Sequence, residues 1–234
     1  CILLDNFGGY MNPIKDSFID FRKQRFPSLK NIIIERCDTS NYKALSSILN
    51  KYKPNYIYHT AALPLAKVSN LNNEEAKISS VDSTVNIIDA INLLKNSNQK
   101  YQFDRFIYFS SSMVYGDFKK PSVTEESEKN PKDAYGIMKL AGEVVTEGLC
   151  RLHNIPYTII RPSAVYGPKD MNRRVSQIFI ENAFKKQKIF IQGKNEKLDF
   201  TYIKDLANGS ILAARKIKGI NQIFNITCGK GQTL

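Results

Sequence analysis

Short apolar runs alternate with amphipathic stretches along most of the chain. Residues 106–109, FIYF, form an uninterrupted apolar and aromatic run, and residues 156–160, PYTII, form a second run broken only by Thr158. Runs of this length without a polar side predict strands covered on both faces, as in parallel sheets. Further strands are predicted at 32–35 and 56–59, and the chain opens in one that ends at Asp5. Between them, 42–51 and 74–94 read as helices. In the second helix Ile78, Val81, Val85, Ile88 and Ile91 recur at three-to-four spacing. Residues 135–152 read as a third. This alternation predicts an α/β fold, a doubly wound parallel sheet of the Rossmann type. Beyond Pro168 the pattern changes to a helix at 176–186, short strands at 189–191 and 200–203, a helix at 204–216 and a last strand at 223–226. The chain therefore divides into a larger domain, 1–163, and a smaller lobe, 164–234, part of which packs back on the first domain.

Composition narrows this picture. A chain of 234 residues with 42% hydrophobic content builds a sizeable core. It has no run of about 18 apolar residues, so a membrane span is not expected, and no leader pattern is visible. Cys1, Cys37, Cys150 and Cys228 lack metal-ligand spacing. Cys37 and Cys150 sit among apolar residues and read as reduced core thiols, which points to the cytoplasm. The formal net charge is +12, but the lysines are spread out, with only short pairs such as Lys119–Lys120. We read them as a solvated basic surface rather than a nucleic-acid groove; neither nucleic acid nor membrane is an expected partner.

Candidate chemistry gathers around three segments. Tyr135 and Lys139 stand four apart in YGIMK, on one face of a predicted helix. An ammonium there favours the phenolate, so the phenol is expected to work as a base nearer neutrality than usual. Taken alone, the pair is also a common accident of a Lys-rich chain. Ser110, Ser111 and Ser112 follow the 106–109 strand, and RPSAVYGP, 161–168, follows the 156–160 strand. The carboxyl ends of strands are where open α/β sheets bind ligands. The bland alternative is that the serines cap a loop.

LLDNF (3–7), HTAA (59–62), SSSMVYG (110–116), YGIMK (135–139), RPSAVYGP (161–168) and LDFTYIKDLA (198–207) occur in this order. In that register the chain resembles the extended short-chain dehydrogenase/reductase family, in its branch of NAD-dependent nucleotide-sugar epimerases and dehydratases. The resemblance implies NAD as cofactor, a nucleotide-sugar substrate and a homodimer. It implies catalysis by Ser111, Tyr135 and Lys139: Ser111 bonds the sugar oxygen, Tyr135 takes its proton, and Lys139 lowers the tyrosine pKa and bonds the cofactor ribose. It places Asp5, Asn6, Asp38, Thr39, Ala61, Ala62, Pro162 and Ser163 along the cofactor with Tyr135 and Lys139. It places Ser111, Ser112, Ala164, Arg173 and Lys197 near the substrate. An acid such as Asp5, with no basic residue close behind it in DNFGGY, favours NAD over NADP, although Asp-Asn is also a turn former. Asp38 either approaches the adenine or caps the 42–51 helix, where Thr39 or Ser40 would serve as well. His59 reads as structural. Ser80 stands where most relatives have Asn, and no role is carried over to it.

Four departures matter. The family's opening strand and Gly-rich turn have no counterpart before Cys1, so we read the chain as an interior fragment that holds its cofactor poorly by itself. The two positions before VYG are Ser112 and Met113, where 4,6-dehydratases carry an Asp-Glu pair; neither residue is an acid or base at neutral pH. That favours an epimerase over a dehydratase or reductase, with a non-catalytic NAD-binding scaffold as a remote alternative. Ala164 stands where many epimerases have Asn. Leu198 stands where an Arg often clamps the diphosphate, which leaves Lys197, Arg173 and Arg174 as anion-clamp candidates; the two arginines read equally as solvated residues opening a helix. The stretch LDNFGGYMNPIKD also resembles the uronic-acid 4-epimerases.

Overall fold

A computed structural model describes residues 1–7, 31–63, 72–168, 170, 174–191 and 197–233. Arg173, and most of the stretch that resembles the uronic-acid epimerases, lie outside the described residues. Two parallel strands come first, β1 (Ile2–Asp5) and β2 (Ile33–Arg36), paired Leu3 to Ile34 and Asp5 to Arg36. A four-stranded all-parallel sheet follows, in the order β3 (Tyr56–His59), β4 (Arg105–Phe109), β5 (Tyr157–Pro162) and β9 (Gln222–Ile226). Among the described residues no ladder joins the two sheets. They share a core through helix α1 (Tyr42–Tyr52), whose buried Leu45 and Leu49 cluster with Cys37, Leu4 and Ile57.

Alternation along β4 and β5 explains why both faces are covered. Phe106, Tyr108 and Ile159 point to one side, where they meet Ile87, Ile88 and Ile91 of α3 (Ser83–Ser97) and Cys150 of α4 (Ala134–Leu152). Ile107 and Ile160 point to the other, against Leu206 and Ala214 of α6 (Ile203–Arg215). Helices on both faces of a parallel sheet make the doubly wound architecture that the periodicity predicted. The predicted 74–94 helix is α2 (Asn73–Lys77) running into α3 through a π-helical turn, Ile78–Asp82, that contains the buried Ser80. The cap of α1 is Asn41, whose side chain accepts from the Ala44 N–H at 3.1 Å, so Asp38, Thr39 and Ser40 do not fill that role.

After β5 the chain forms small units: β6 (Val165–Tyr166) parallel to β8 (Thr201–Tyr202), helix α5 (Val175–Phe184), and β7 (Lys197–Asp199) antiparallel to β10 (Gly231–Thr233). β9 then rejoins the main sheet beside β5. The strand predicted at 189–191 is not there. Lys186 turns the chain off α5 at φ 54°, and Phe190 stays 77% exposed with no ladder partner among the described residues. The strand predicted at 200–203 shrinks to two residues because Ile203 opens α6.

Candidate active site

Ser111 follows β4 in extended backbone and caps a 3-10 turn, Ser112–Tyr115; the Met113 N–H donates to its Oγ at 3.2 Å. Helix α4 begins beside this turn. Asp133 caps it, accepting from the Gly136 N–H at 2.7 Å, which fixes Tyr135 in the first helical turn. A Cβ on Gly136 would lie 2.7 Å from the Met113 carbonyl oxygen and 2.9 Å from Cβ of Pro131. The absent side chain is thus what lets α4 approach the serine turn. That approach brings Ser111 near enough to Tyr135 to pull its phenol down. One turn on, Lys139 is buried and its Nζ donates to the Phe109 carbonyl at 2.7 Å, tying the helix to the last residue of β4. The three residues singled out for catalysis thus meet at the carboxyl end of β4.

Their electrostatics differ from the expectation. Burial pushes the Lys139 ammonium down to about 8, with the Glu143 carboxylate opposing. Burial also pushes the Tyr135 phenol up; Arg174 and the Ser111 hydrogen bond pull it back, while Asp133 adds to the rise. The cation that counts for Tyr135 here is therefore Arg174, whose Nη1 donates to the Val165 carbonyl at 3.1 Å. Lys139, its Nζ held on a backbone carbonyl and pushed down to about 8, loses its charge below the pH at which the raised phenol titrates.

The candidate cofactor residues line the same end of the sheets. Asp5 closes β1 and accepts from the Phe7 N–H at 2.7 Å, with Phe7 at φ 55°. Asn6 donates to Asp38 at 3.0 Å, and the other Asp38 oxygen accepts from the Ser40 N–H and hydroxyl at 2.8 and 2.7 Å. Burial raises the Asp38 carboxyl, but the Asn6 and Ser40 hydrogen bonds outweigh it and hold it below the usual range. The Thr39 carbonyl accepts from Asn86 at 3.0 Å. Ala61 and Ala62 follow β3, exposed and half-buried; Pro162 ends β5 and Ser163 follows it, both half-buried. His59 is buried between the Ser83 and Thr84 hydroxyls, 3.2 and 3.1 Å away, and burial holds its imidazole down to about 3, so it is neutral and structural. Ser110 Oγ is buried at the end of β4 with no hydrogen-bond partner among the described residues.

The candidate substrate residues are less gathered. Ser112 opens the turn after Ser111, and the Ala164 carbonyl accepts from the Thr201 N–H at 3.3 Å. Lys197 is exposed on the β7–β10 ladder, outside the sheet that carries Ser111. Two features escaped the sequence reading. One is the effect of Arg174 on Tyr135. The other is a buried ion pair, Glu143 with Arg161, 2.6 Å at its closest. A charge in the apolar stripe of α4 and another inside the TIIRP strand were the available signal.

The family model for the NAD dependent epimerase/dehydratase family matches residues 17–227. The chain belongs to that family. It is 34% identical over 154 residues to a Methanocaldococcus jannaschii protein provisionally named UDP-glucose 4-epimerase, covering 64% of this chain and 49% of that one. It is 27% identical to UDP-glucuronate 4-epimerase 1 of Arabidopsis thaliana, over 89% of this chain and 47% of the relative. The chain thus spans about half the length of the curated relatives it matches. Among solved structures, UDP-glucuronic acid 4-epimerase of Bacillus cereus, in complex with UDP-glucuronic acid and NAD, superposes with a TM-score of 0.85 at 25% identity, covering 99% of this chain and 70% of that one. The family is one of nucleotide-sugar enzymes with a Rossmann-like fold, as the motif register implied. No helix among the described residues is long and apolar enough to cross a membrane.

Proposed function

We propose that the protein epimerises a nucleotide-activated sugar through a transient keto-sugar, with NAD as its cofactor. The observation that carries epimerisation over dehydration is the pair Ser112–Met113 beside Ser111, which offers no acid or base to remove water. Ser111 hydrogen-bonds the sugar hydroxyl and Tyr135 accepts its proton. Lys139, fixed on the Phe109 carbonyl, presents its charge to the cofactor ribose. The donor set fits the cofactor: acidic acceptors at the ends of β1 and β2, small Ala61 and Ala62 after β3, and the unpartnered Ser110 hydroxyl at the end of β4. Bound NAD supplies the hydride acceptor and a positive ring that favours the Tyr135 phenolate. The test is incubation of the full-length protein with UDP-, GDP-, CDP- and dTDP-sugars, with the product sugars separated. Conversion of one sugar to its epimer is expected; products of altered mass, or no conversion of any substrate, would overturn the reading.

Asp5 makes NAD the expected cofactor over NADP, because its carboxylate at the end of β1 would meet the adenosine ribose and repel a 2′-phosphate. Competitive binding of the two to the full-length protein checks this, and equal affinity or tighter NADP would remove the role given to Asp5. Gly136→Ala is expected to push α4 off the serine turn, cost about 1–3 kcal/mol and slow turnover roughly tenfold or more. Unchanged melting and turnover would show that the close approach is not needed. We further assign the exposed apolar stripe Ile137, Val144 and Leu152 on α4, with Leu93 on α3, to a second copy of the chain. Sedimentation should give a dimer that Val144→Glu dissociates; a monomeric native protein would remove the assignment. The free thiols fit a reducing, cytoplasmic setting.

A further inference from the structure

Glu143 lies where the buried stripe of α4 calls for an apolar residue. It is 3% exposed and follows Lys139 by one turn, on the face that buries Gly136, Lys139, Thr146 and Cys150. Both of its oxygens are taken by Arg161 of β5, itself 1% exposed: Nε donates to Oε1 at 2.8 Å and Nη2 to Oε2 at 2.6 Å. Arg161 Nη1 reaches on to the Tyr115 hydroxyl at 2.8 Å and the Glu125 carbonyl at 3.0 Å. The Tyr115 hydroxyl donates to Asn225 Oδ1 at 2.8 Å, and the Asn225 N–H donates to Glu125 Oε1 at 2.7 Å. One network therefore joins α4, β5, the turn behind Ser111 and β9.

A clamp alone would not require charge. Replacing a buried ion pair by apolar residues of similar volume is often neutral or stabilising. What the pair offers beyond packing is a fixed negative charge one turn from Lys139. Several groups surround that ammonium, and the packed α2, π-helical turn and α3 also carry Glu74, Glu75, Asp82 and Asp89, whose charges do not figure in the Lys139 shift. From α4 the surrounding groups are Tyr135 and Glu143; from β4, the Phe109 carbonyl and Tyr108, whose ring centroid is 5.4 Å away; from β3, the neutral His59; and from β5, Arg161 behind Glu143. Glu143 is the carboxylate among them.

We propose that Glu143 is a positioning residue that keeps Lys139 protonated in its buried site, with Arg161 as the brace that holds both the carboxylate and the catalytic helix in place. The consequence for turnover rests on the reading of Ser111, Tyr135 and Lys139 given above; the consequence for Lys139 itself does not. Lys139 already loses its proton near pH 8 because burial disfavours the charged form, and Glu143 is what opposes that loss. Without the carboxylate, the midpoint moves toward lower pH and the ammonium is partly lost at neutrality.

The experiment follows the Lys139 Nζ resonance by 15N NMR against pH in the full-length protein, assigned with Lys139→Met, alongside the pH profile of kcat/KM and thermal melting. The variants are Glu143→Gln and the double variant Glu143→Leu/Arg161→Met. In Glu143→Gln the midpoint is expected to fall by about one pH unit or more, and the rise of kcat/KM with pH to level off that much earlier. The double variant should regain the melting temperature that Glu143→Gln loses, yet keep a lowered midpoint. A double variant that regains both would reduce Glu143 to a clamp and overturn the proposal, as would an unchanged midpoint in either variant. Should Glu143→Gln fail to fold, the double variant alone decides. Should no sugar be turned over, the NMR midpoint still decides, which separates this inference from the proposed reaction.

Discussion

Tyr135→Phe should lower turnover by at least about a hundredfold while leaving the fold intact, because general acid–base steps are worth about that much or more. The ring stays where Asp133 and the start of α4 put it, and Lys139 keeps its bond to Phe109. The loss is the one hydroxyl whose acidity Ser111 and Arg174 raise. The pH dependence gives a second signature. Burial raises the phenol above its ordinary value, so in the native enzyme the phenolate population, and with it the rate, climbs with pH until Lys139 begins to lose its proton near pH 8. The variant lacks the titrating group and should lose that climb as well as the rate. Thermal melting and the pH profile of kcat/KM, taken on the same preparations, check both. A near-normal rate, or a variant with the native acid limb, would remove Tyr135 as the base.

Where the sequence spoke plainly, it did so through periodicity. The FIYF run gave a strand covered on both faces, since four consecutive apolar side chains leave no polar face for water, and β4 has Phe106, Ile107 and Tyr108 essentially inaccessible. The four-residue spacing of Tyr135 and Lys139 placed both on α4, and the Ser111 turn came to them because Gly136 carries no side chain. What remained hidden depends on groups distant along the chain. A run such as 189–191 becomes a strand only if another strand offers a ladder, and no pattern within those three residues reveals that. The cap of α1 fell to Asn41 because Asp38 is occupied by Asn6 and Ser40, a competition between β1 and β2 that only the fold brings about. The influence of Arg174 on Tyr135 arises from a segment beyond β6, and spacing carries no information on it. Glu143 was legible in principle. Its position continues the stripe of Gly136, Lys139 and Thr146, and a carboxylate buried there has to find a cation.

The redox balance of the reaction separates the family's two chemistries most sharply. In an epimerase the hydride leaves the sugar and returns to the other face of the same carbon within one turnover, so no net NADH appears and no reductant is consumed. Ser112 and Met113 motivate this expectation. After oxidation the keto-sugar loses water only if an acid and a base stand beside it, and a hydroxyl and a thioether at neutral pH are neither. The structure sets both residues in the turn that Ser111 caps; that turn holds no carboxylate or imidazole, and the hydroxyl of its Tyr115 is engaged by Asn225 and Arg161. A substrate carrying deuterium on the carbon that inverts should therefore yield an epimer that retains the label on that carbon and has the mass of the substrate. Mass spectrometry and NMR of the separated sugar read both. A product lighter by one water would assign dehydration, and NADH formed in proportion to substrate would assign net oxidation. Either result would overturn the epimerase reading while leaving the fold and the family as they stand.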